Sequence, residues 1–410
     1  MDNVLSLDII ELAAADVWLS KFLSAGSCDE KPRLDLSTHE AQRALTAAVL
    51  KAKYNIIVSL DSRRLCPAIP NRLAYVRYIY DLVLSTHGEE PGERMCGVDI
   101  GTGHVAIYPL LACSEYADIN FVGTDIDLDS LNHASQIILD NGFGNRIQLL
   151  SSPDAETIFF NSMFPDGSTY FTMCNPPFYS SRQEILEKRS SKKTAASASE
   201  TMALDSELIA DGGEVGFVSR MIEQSFIFRD KVVWFSSLLG KMESVGAVVD
   251  ILRRMTISNY AIHELVPSAH QASTRRWVAC WSFKSIRPPN ELCLAKSHKL
   301  KTFNPSHTQF FFDAKITDIS LILHLVKKLD QCVVEEDLRC LHLVFPGDIW
   351  SRSYRRKAKK DVVTFAEDDR CTIIIRLCDG TVEVYWRSGI HYNIFESFCG
   401  WIKRSVGELQ

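Results

Sequence analysis

Asn175-Pro176-Pro177-Phe178 follows an apolar run, Tyr170-Phe171-Thr172-Met173-Cys174. Two prolines fix φ and stiffen the turn, so the Asn amide and the aromatic ring project into one small space. The amide oxygen can accept from an exocyclic NH2 while the ring stacks on a flat heterocycle. Such a pair suits methyl transfer onto a planar nitrogen. Read alone, Asn-Pro-Pro is equally a rigid strand-to-loop turn.

A second motif lies upstream. Cys96-Gly97-Val98-Asp99-Ile100-Gly101-Thr102-Gly103-His104 reads as a strand entering a glycine turn, with a helix-like run from Val105 to Cys113 behind it. Glycines there let the backbone approach a ligand closely. The pattern is not G-x-G-x-x-G, so a pyrophosphate is not the expected ligand. The next strand, Ile119 to Thr124, ends in Asp125-Ile126-Asp127, where an acid can accept from both ribose hydroxyls or simply cap the following helix. Glycine turn, acid at the next strand tip, then Asn-Pro-Pro-Phe: this order describes an S-adenosylmethionine pocket facing an acceptor pocket. Asp99, Gly101, Gly103, Asp125 and Asn175 are its expected cofactor-binding residues, and Asn175, Pro176, Pro177 and Phe178 its catalytic corner. Phe178 and Phe217 supply an apolar surround for a sulfonium whose charge is lost on transfer.

The elements that must position these residues alternate from Gly97 onward: strand to Ile100, helix to Cys113, strand to Thr124, helix 128–141, strand 146–151, strand 168–174. A polar stretch from Ser180 to Thr201 reads as a mobile loop. Helix 214–226, strand 232–236, helix 239–248 and strand-like runs 249–262 and 277–283 complete the series. Seven strands with crossovers imply an α/β, doubly wound, mostly parallel sheet, the Rossmann-like class I methyltransferase architecture, with ligands at the carboxyl ends of the strands. Ahead of it, residues 1–36 read as a helical arm, Ser37-Thr38-His39-Glu40 as a capping box, and 56–60 as a short strand. Residues 37–287 form the methyltransferase domain, 288–306 a linker, and 307–410 a smaller α+β domain with a hairpin at Cys378-Asp379-Gly380-Thr381.

Length and composition are those of a globular protein with about two to three domains; hydrophobic residues make up 46% and charged residues 23% of 410. No run of about 18 apolar residues suggests a membrane span, and no basic-then-apolar start suggests a secretory signal. The twelve cysteines are scattered without C-x-x-C pairs and the eleven histidines form no H-x-x-x-H pattern, so we expect reduced thiols in an intracellular protein and no metal. Net charge is -6, yet phosphate affinity depends on local cation density. Lys188, Arg189, Lys192 and Lys193 cluster past the Asn-Pro-Pro-Phe turn, and Arg352, Arg355, Arg356, Lys357, Lys359 and Lys360 cluster near the C-terminus. Either run also suits a solvated surface or a localisation signal.

Pro70-Asn71-Arg72-Leu73-Ala74-Tyr75, the Asp99–Gly103 motif, Asn175–Phe178, Asp211-Gly212-Gly213-Glu214 and Thr274-Arg275-Arg276-Trp277, in this order, resemble the methyltransferase-like-sixteen family over residues 35–285. Its members include U6 small nuclear RNA N6-adenosine methyltransferases and bacterial large-subunit rRNA adenine-N6 methyltransferases. The resemblance implies that Arg72 reaches the methionine carboxylate, that Glu156 stands at a cofactor-contacting loop, and that Asn175 Oδ1 and the Pro176 carbonyl grip the adenine amino group with Phe178 beneath. It implies RNA contact by Arg276, with Arg275 as substitute because Ser273 replaces an arginine of human-type members. The loop 152–156 lacks the family lysine, and the arm is acidic where relatives are basic. The C-terminal domain resembles the vertebrate-conserved region, which helps hold U6 RNA. The implied partners are RNA and spliceosomal ribonucleoproteins around a monomer, in the nucleus and also the cytoplasm. Rival readings are a protein glutamine or DNA adenine N-methyltransferase, and an RNA-binding assembly factor whose methylation is incidental.

Overall fold

The computed structural model describes residues 8–24, 33–87, 94–164, 169–191, 205–265, 275–337 and 340–409, with 188–191 and 205–206 described by their backbone only. Two compact units arise: one from Met1–Val83, Glu89–Thr256 and Ile262–Ser282, the other from Leu84–Gly88, Ile257–Ala261 and Phe283–Gln410.

The first unit opens with helices α1 (Ile9–Ala15) and α2 (Val17–Ser20) and a two-stranded ribbon, β1 (Leu23–Ser24) and β2 (Arg33–Leu34). Among its described residues the arm forms two short helices with a break between them. Two of its acids explain the break, because the Asp8 and Asp16 side chains accept from Ile10 N and Trp18 N and so start a helix each. Helix α1 packs on α3 (His39–Tyr54), so the arm belongs to this unit. Thr38 Oγ1 caps α3 by accepting from Ala41 N at 3.2 Å, and Ala41, Ala44, Ala47 and Ala48 form its buried face. The expected strand at 56–60 does not form. Both polar groups of Ile57 are taken instead by the Asn141 side chain, at 2.7 and 2.8 Å.

Helix α4 (Ile69–Thr86) leads into alternating elements: β3 (Met95–Ile100), α5 (Ile107–Glu115), β4 (Ile119–Asp125), α6 (Leu128–Asp140), β5 (Ile147–Ser151), β6 (Thr169–Cys174), α7 (Arg182–Ser191), α8 (Asp205–Leu208), α9 (Gly213–Ser225), β7 (Val232–Leu239), α10 (Met242–Arg254), β8 (Asn259–Leu265) and β9 (Arg276–Ser282). The sheet order is β5-β4-β3-β6-β7-β9-β8. Strands β3 to β7 run parallel and β9 is antiparallel to β7, so the seven-stranded, mostly parallel α/β sheet expected is present. Strand β6 is buried along its whole length, as a strand covered on both faces must be. Two expectations fail locally. Residues 182–191 of the supposed loop are helical, while 192–201 lie outside the described residues. Residues 249–254, read as strand, end α10, and the chain turns at Thr256 with φ 58 before β8 begins.

The second unit has a five-stranded antiparallel sheet in the order β10 (Gln309–Asp313), β14 (Thr381–Ser388), β13 (Cys371–Cys378), β12 (Cys340–Phe345), β11 (Val333–Asp337). Its helices are α11 (Asn290–Cys293), α12 (Ser320–Val326), α13 (Arg352–Ala358) and α14 (Tyr392–Gly407). The β13–β14 hairpin turns on Asp379 and Gly380 at φ 48 and 79, the left-handed pair that a two-residue turn requires. Residues 288–306 are not a free linker. Cys293, Ala295 and Leu300 are buried, and the Asn304 amide pairs with both N and O of Ala295 at 2.8 and 3.1 Å. Of the described cysteines, Cys113, Cys174, Cys280, Cys293, Cys371 and Cys399 are buried free thiols and Cys378 is exposed.

Candidate active site

The glycine turn lies at the carboxyl end of β3, where the sheet order diverges to β4 on one side and β6 on the other. Gly101 and Gly103 sit at φ 69 and 67, and the space a Cβ would occupy is open at both. Gly103 N donates to Asp125 Oδ2 at 2.8 Å and Asp127 N to Asp125 Oδ1 at 2.9 Å. The strand-tip acid therefore holds the turn and still has lone pairs to offer. Burial pushes its carboxyl up, opposed by those backbone N–H groups. Capping of α6 falls to Asp127, which accepts from Ser130 N at 3.0 Å. Asp99 is buried beneath the turn; Thr102 Oγ1 donates to its Oδ2 at 2.8 Å, while its Oδ1 has no hydrogen-bond partner. Burial above all pushes Asp99 up to about 7.

At the end of β6, Asn175 is half-buried. Arg72 on α4 donates through Nη1 to Asn175 Oδ1 at 3.2 Å and to Tyr108 Oη at 3.0 Å. One cavity of about 410 Å³ is lined by Arg72, Gly101, Gly103, Asp125, Glu156, Asn175, Pro177 and Phe217 among others. Asp99, Pro176 and Phe178 do not line it. Phe178 packs beside Gly240, with the Arg276 guanidinium 5.6 Å from the ring centroid. Glu156 stands on the rim, its side chain 77% exposed and 3.6 Å from Arg220 Nε.

Several wall residues escape sequence reasoning. Arg64 Nη2 lies 2.6 Å from Asp127 Oδ2, and its Nη1 is 3.7 Å from Glu207 Oε1; Arg63-Arg64 carries no periodic or motif signal. His104 is buried in the wall with Nε2 unpartnered, and burial lowers it to about 4. Asp127 lies two residues past the expected acid and is legible as the residue before the helix.

Of the expected RNA-contacting residues, Lys192 and Lys193 lie outside the described residues, as do the side chains of Lys188 and Arg189. Arg275 is exposed, with Nη1 3.3 Å from Glu264 Oε1. Arg352, Arg355, Arg356, Lys357, Lys359 and Lys360 are all exposed on α13 and the turn after it, a helix capped by Ser351 and anchored by buried Tyr354.

A family model described as RNA methyltransferase matches residues 6–285. The chain belongs to this RNA methyltransferase family. It is 34% identical over 382 residues to the U6 small nuclear RNA (adenine-(43)-N(6))-methyltransferase of Schizosaccharomyces pombe, covering 91% of this chain and 95% of the relative. It is 32% identical over 268 residues to Ribosomal RNA large subunit methyltransferase F of Pseudoalteromonas translucida, covering 63% and 84%. Among solved structures, the catalytic domain of human Mettl16 with the MAT2A 3'UTR hairpin 1 aligns with a TM-score of 0.59 at 27% identity, covering 68% of this chain and 92% of that one. The N-terminal domain of human METTL16 in complex with SAH aligns at 0.54 and 26%, covering 68% and 95%. This RNA methyltransferase uses S-adenosylmethionine as its methyl donor. The open cradle at Gly101 and Gly103 fits that group, since a side chain at either position would enter the cavity.

Proposed function

We propose that this enzyme methylates N6 of an adenosine in a structured RNA, with U6 small nuclear RNA as the substrate. What carries the reading is the single cavity that joins the glycine turn and Asp125 to Asn175 and Pro177. S-adenosylmethionine, when bound, supplies an electrophilic methyl group on a sulfonium. Around it, the Gly101–Gly103 backbone admits close approach, Asp125 accepts from ribose hydroxyls, Arg72 offers charge to a carboxylate, and Glu156 borders the rim.

On the acceptor side, an amide oxygen has two lone pairs. Arg72 occupies one on Asn175 Oδ1 and so holds the amide in orientation, leaving the other for an N6 hydrogen. The Pro176 carbonyl accepts the second hydrogen. Both acceptors draw the nitrogen out of conjugation with the ring and spread the positive charge that develops on it. The target base has to leave its stack to reach this corner, which favours a loop or bulge. Arg275, Arg276 and the cations of α13 hold phosphates, as do Lys188, Arg189, Lys192 and Lys193. With this substrate the enzyme works in the nucleus, beside spliceosomal ribonucleoproteins.

The test is incubation with methyl-labelled S-adenosylmethionine and total RNA. Label on adenine N6 of one small nuclear transcript, lost in Asn175→Ala while the variant keeps its affinity for that RNA, is the expected result. Label in protein and none in RNA overturns the substrate class. An Asn175→Ala variant that keeps the cellular phenotype makes RNA binding the function.

A further inference from the structure

Asp211-Gly212-Gly213-Glu214 has no task in the scheme above, yet it touches the acceptor corner from two directions. Gly212 and Gly213 turn the chain at φ 68 and 61. Gly213 lies beside the main chain of the corner, where a Cβ would make ordinary contact at 3.5 Å from Ser180 N and 3.6 Å from Phe178 O. The residues just before that segment are stitched to the residue after the motif: Tyr179 N donates to Leu208 O and Ala210 N to Tyr179 O, each at 3.0 Å. The backbone of Phe178 is thereby fixed.

Glu214, buried at the start of α9, reaches across to the β7–α10 turn. Its Oε2 accepts from Gly240 N at 2.7 Å, its Oε1 from Lys241 N at 3.1 Å, and Ser244 Oγ donates to it as well. That turn carries Gly240 against the Phe178 ring, where a Cβ would stand 2.8 Å from Cδ1 and 3.0 Å from Cε1. One buried carboxylate thus sets the height of the seat on which the ring rests.

We propose that Glu214 and Gly240 are positioning residues for methyl transfer, fixing the ring of Phe178 at the place where the acceptor base stacks. The inference rests on the reading of Phe178 as the acceptor plate. A Cβ at Gly240 displaces that ring by a fraction of an ångström to an ångström, and misplacement on this scale costs up to about a hundredfold in rate.

The test is a mutant cycle on the full chain, using the RNA transcript that takes label above, with kcat and KM measured and S-adenosylhomocysteine affinity read by calorimetry. Gly240→Ala is expected to lower kcat about tenfold or more and leave cofactor affinity within about twofold. In a Phe178→Leu background the same substitution should cost less than about threefold, because the planar ring and its Cε1 are gone, while the 3.2 Å approach of that Cβ to Glu214 Oε2 is common to both backgrounds. Glu214→Gln, which keeps one acceptor oxygen, should lower kcat in the same direction without Gly240 being touched. Equal cost of Gly240→Ala in both backgrounds, or cofactor affinity falling in parallel with kcat, overturns the seat and leaves the acceptor reading standing. Phe178→Leu with unchanged kcat overturns the acceptor reading, and the seat falls with it.

Discussion

Buried Asp99 and His104 pull the pH dependence of stability in opposite directions. Asp99 is raised from 3.8 to about 7, so between these values the folded chain holds a proton that the unfolded chain has lost. Its contribution to stability falls as pH rises through that window. His104 is lowered from 6.5 to about 4, so its contribution falls as pH drops through 6.5 toward 4. The two oppose each other where the windows overlap. Asp99→Asn should therefore make thermal unfolding more acid-sensitive than wild type between pH 6.5 and 4, and His104→Gln less so, in melts collected across that range. Loss of Asp125 is a different matter. Asp125→Ala removes the anchor of Gly103 N as well as the proposed ribose acceptor, and S-adenosylhomocysteine affinity should drop about tenfold or more by calorimetry. An unchanged affinity would mean that the acid serves the turn alone.

Elements were legible where pattern and burial agree. The strands at 95–100, 119–125 and 169–174 were found because sheets covered on both faces need near-continuous apolar runs. The glycine turn and Asn-Pro-Pro-Phe were visible because backbone geometry restricts residue type. What stayed hidden was tertiary. Ile56 to Leu60 has strand composition, yet Asn141, 84 residues away, takes the backbone groups of Ile57. Residues 182–191 lack apolar periodicity, and their helix is fastened by Glu184, which accepts from Ser180 N at 2.9 Å and meets Lys241 Nζ at 2.8 Å. Arg64 and His104 entered the site through a fold that no local signal announces. Packing inside β3 gives a prediction of its own: a Cβ on Gly97 would stand 2.7 Å from the Phe171 ring and 2.8 Å from Phe121. Those rings already meet edge to face at 5.6 Å, so neither can yield freely. Gly97→Ala should cost about 1–3 kcal/mol in chemical denaturation; a neutral substitution would show that the ring pair repacks.

At the scale of the molecule, a chain of net charge -6 must gather its cations to hold RNA, and α13 with the turn after it gathers six, all exposed. Counterion release makes each phosphate contact visible in the salt dependence. Replacing Arg355, Lys357 and Lys359 with alanine should weaken RNA binding and reduce the slope of log affinity against log salt by about one per lost contact, with S-adenosylhomocysteine affinity unchanged. A slope identical to wild type would return these residues to the solvated surface. The thiols offer a separate handle on the two units. Burial pushes Cys113 and Cys399 up to about 12, so neither reacts until its surroundings open, whereas Cys378 is available at once. Alkylation followed by peptide mapping therefore supplies clocks already installed in each half of the chain: Cys113, Cys174 and Cys280 time the breathing of the Rossmann-like unit, Cys293, Cys371 and Cys399 that of the antiparallel unit. A cofactor analogue that seats at the glycine cradle should slow the first set of clocks by mass action.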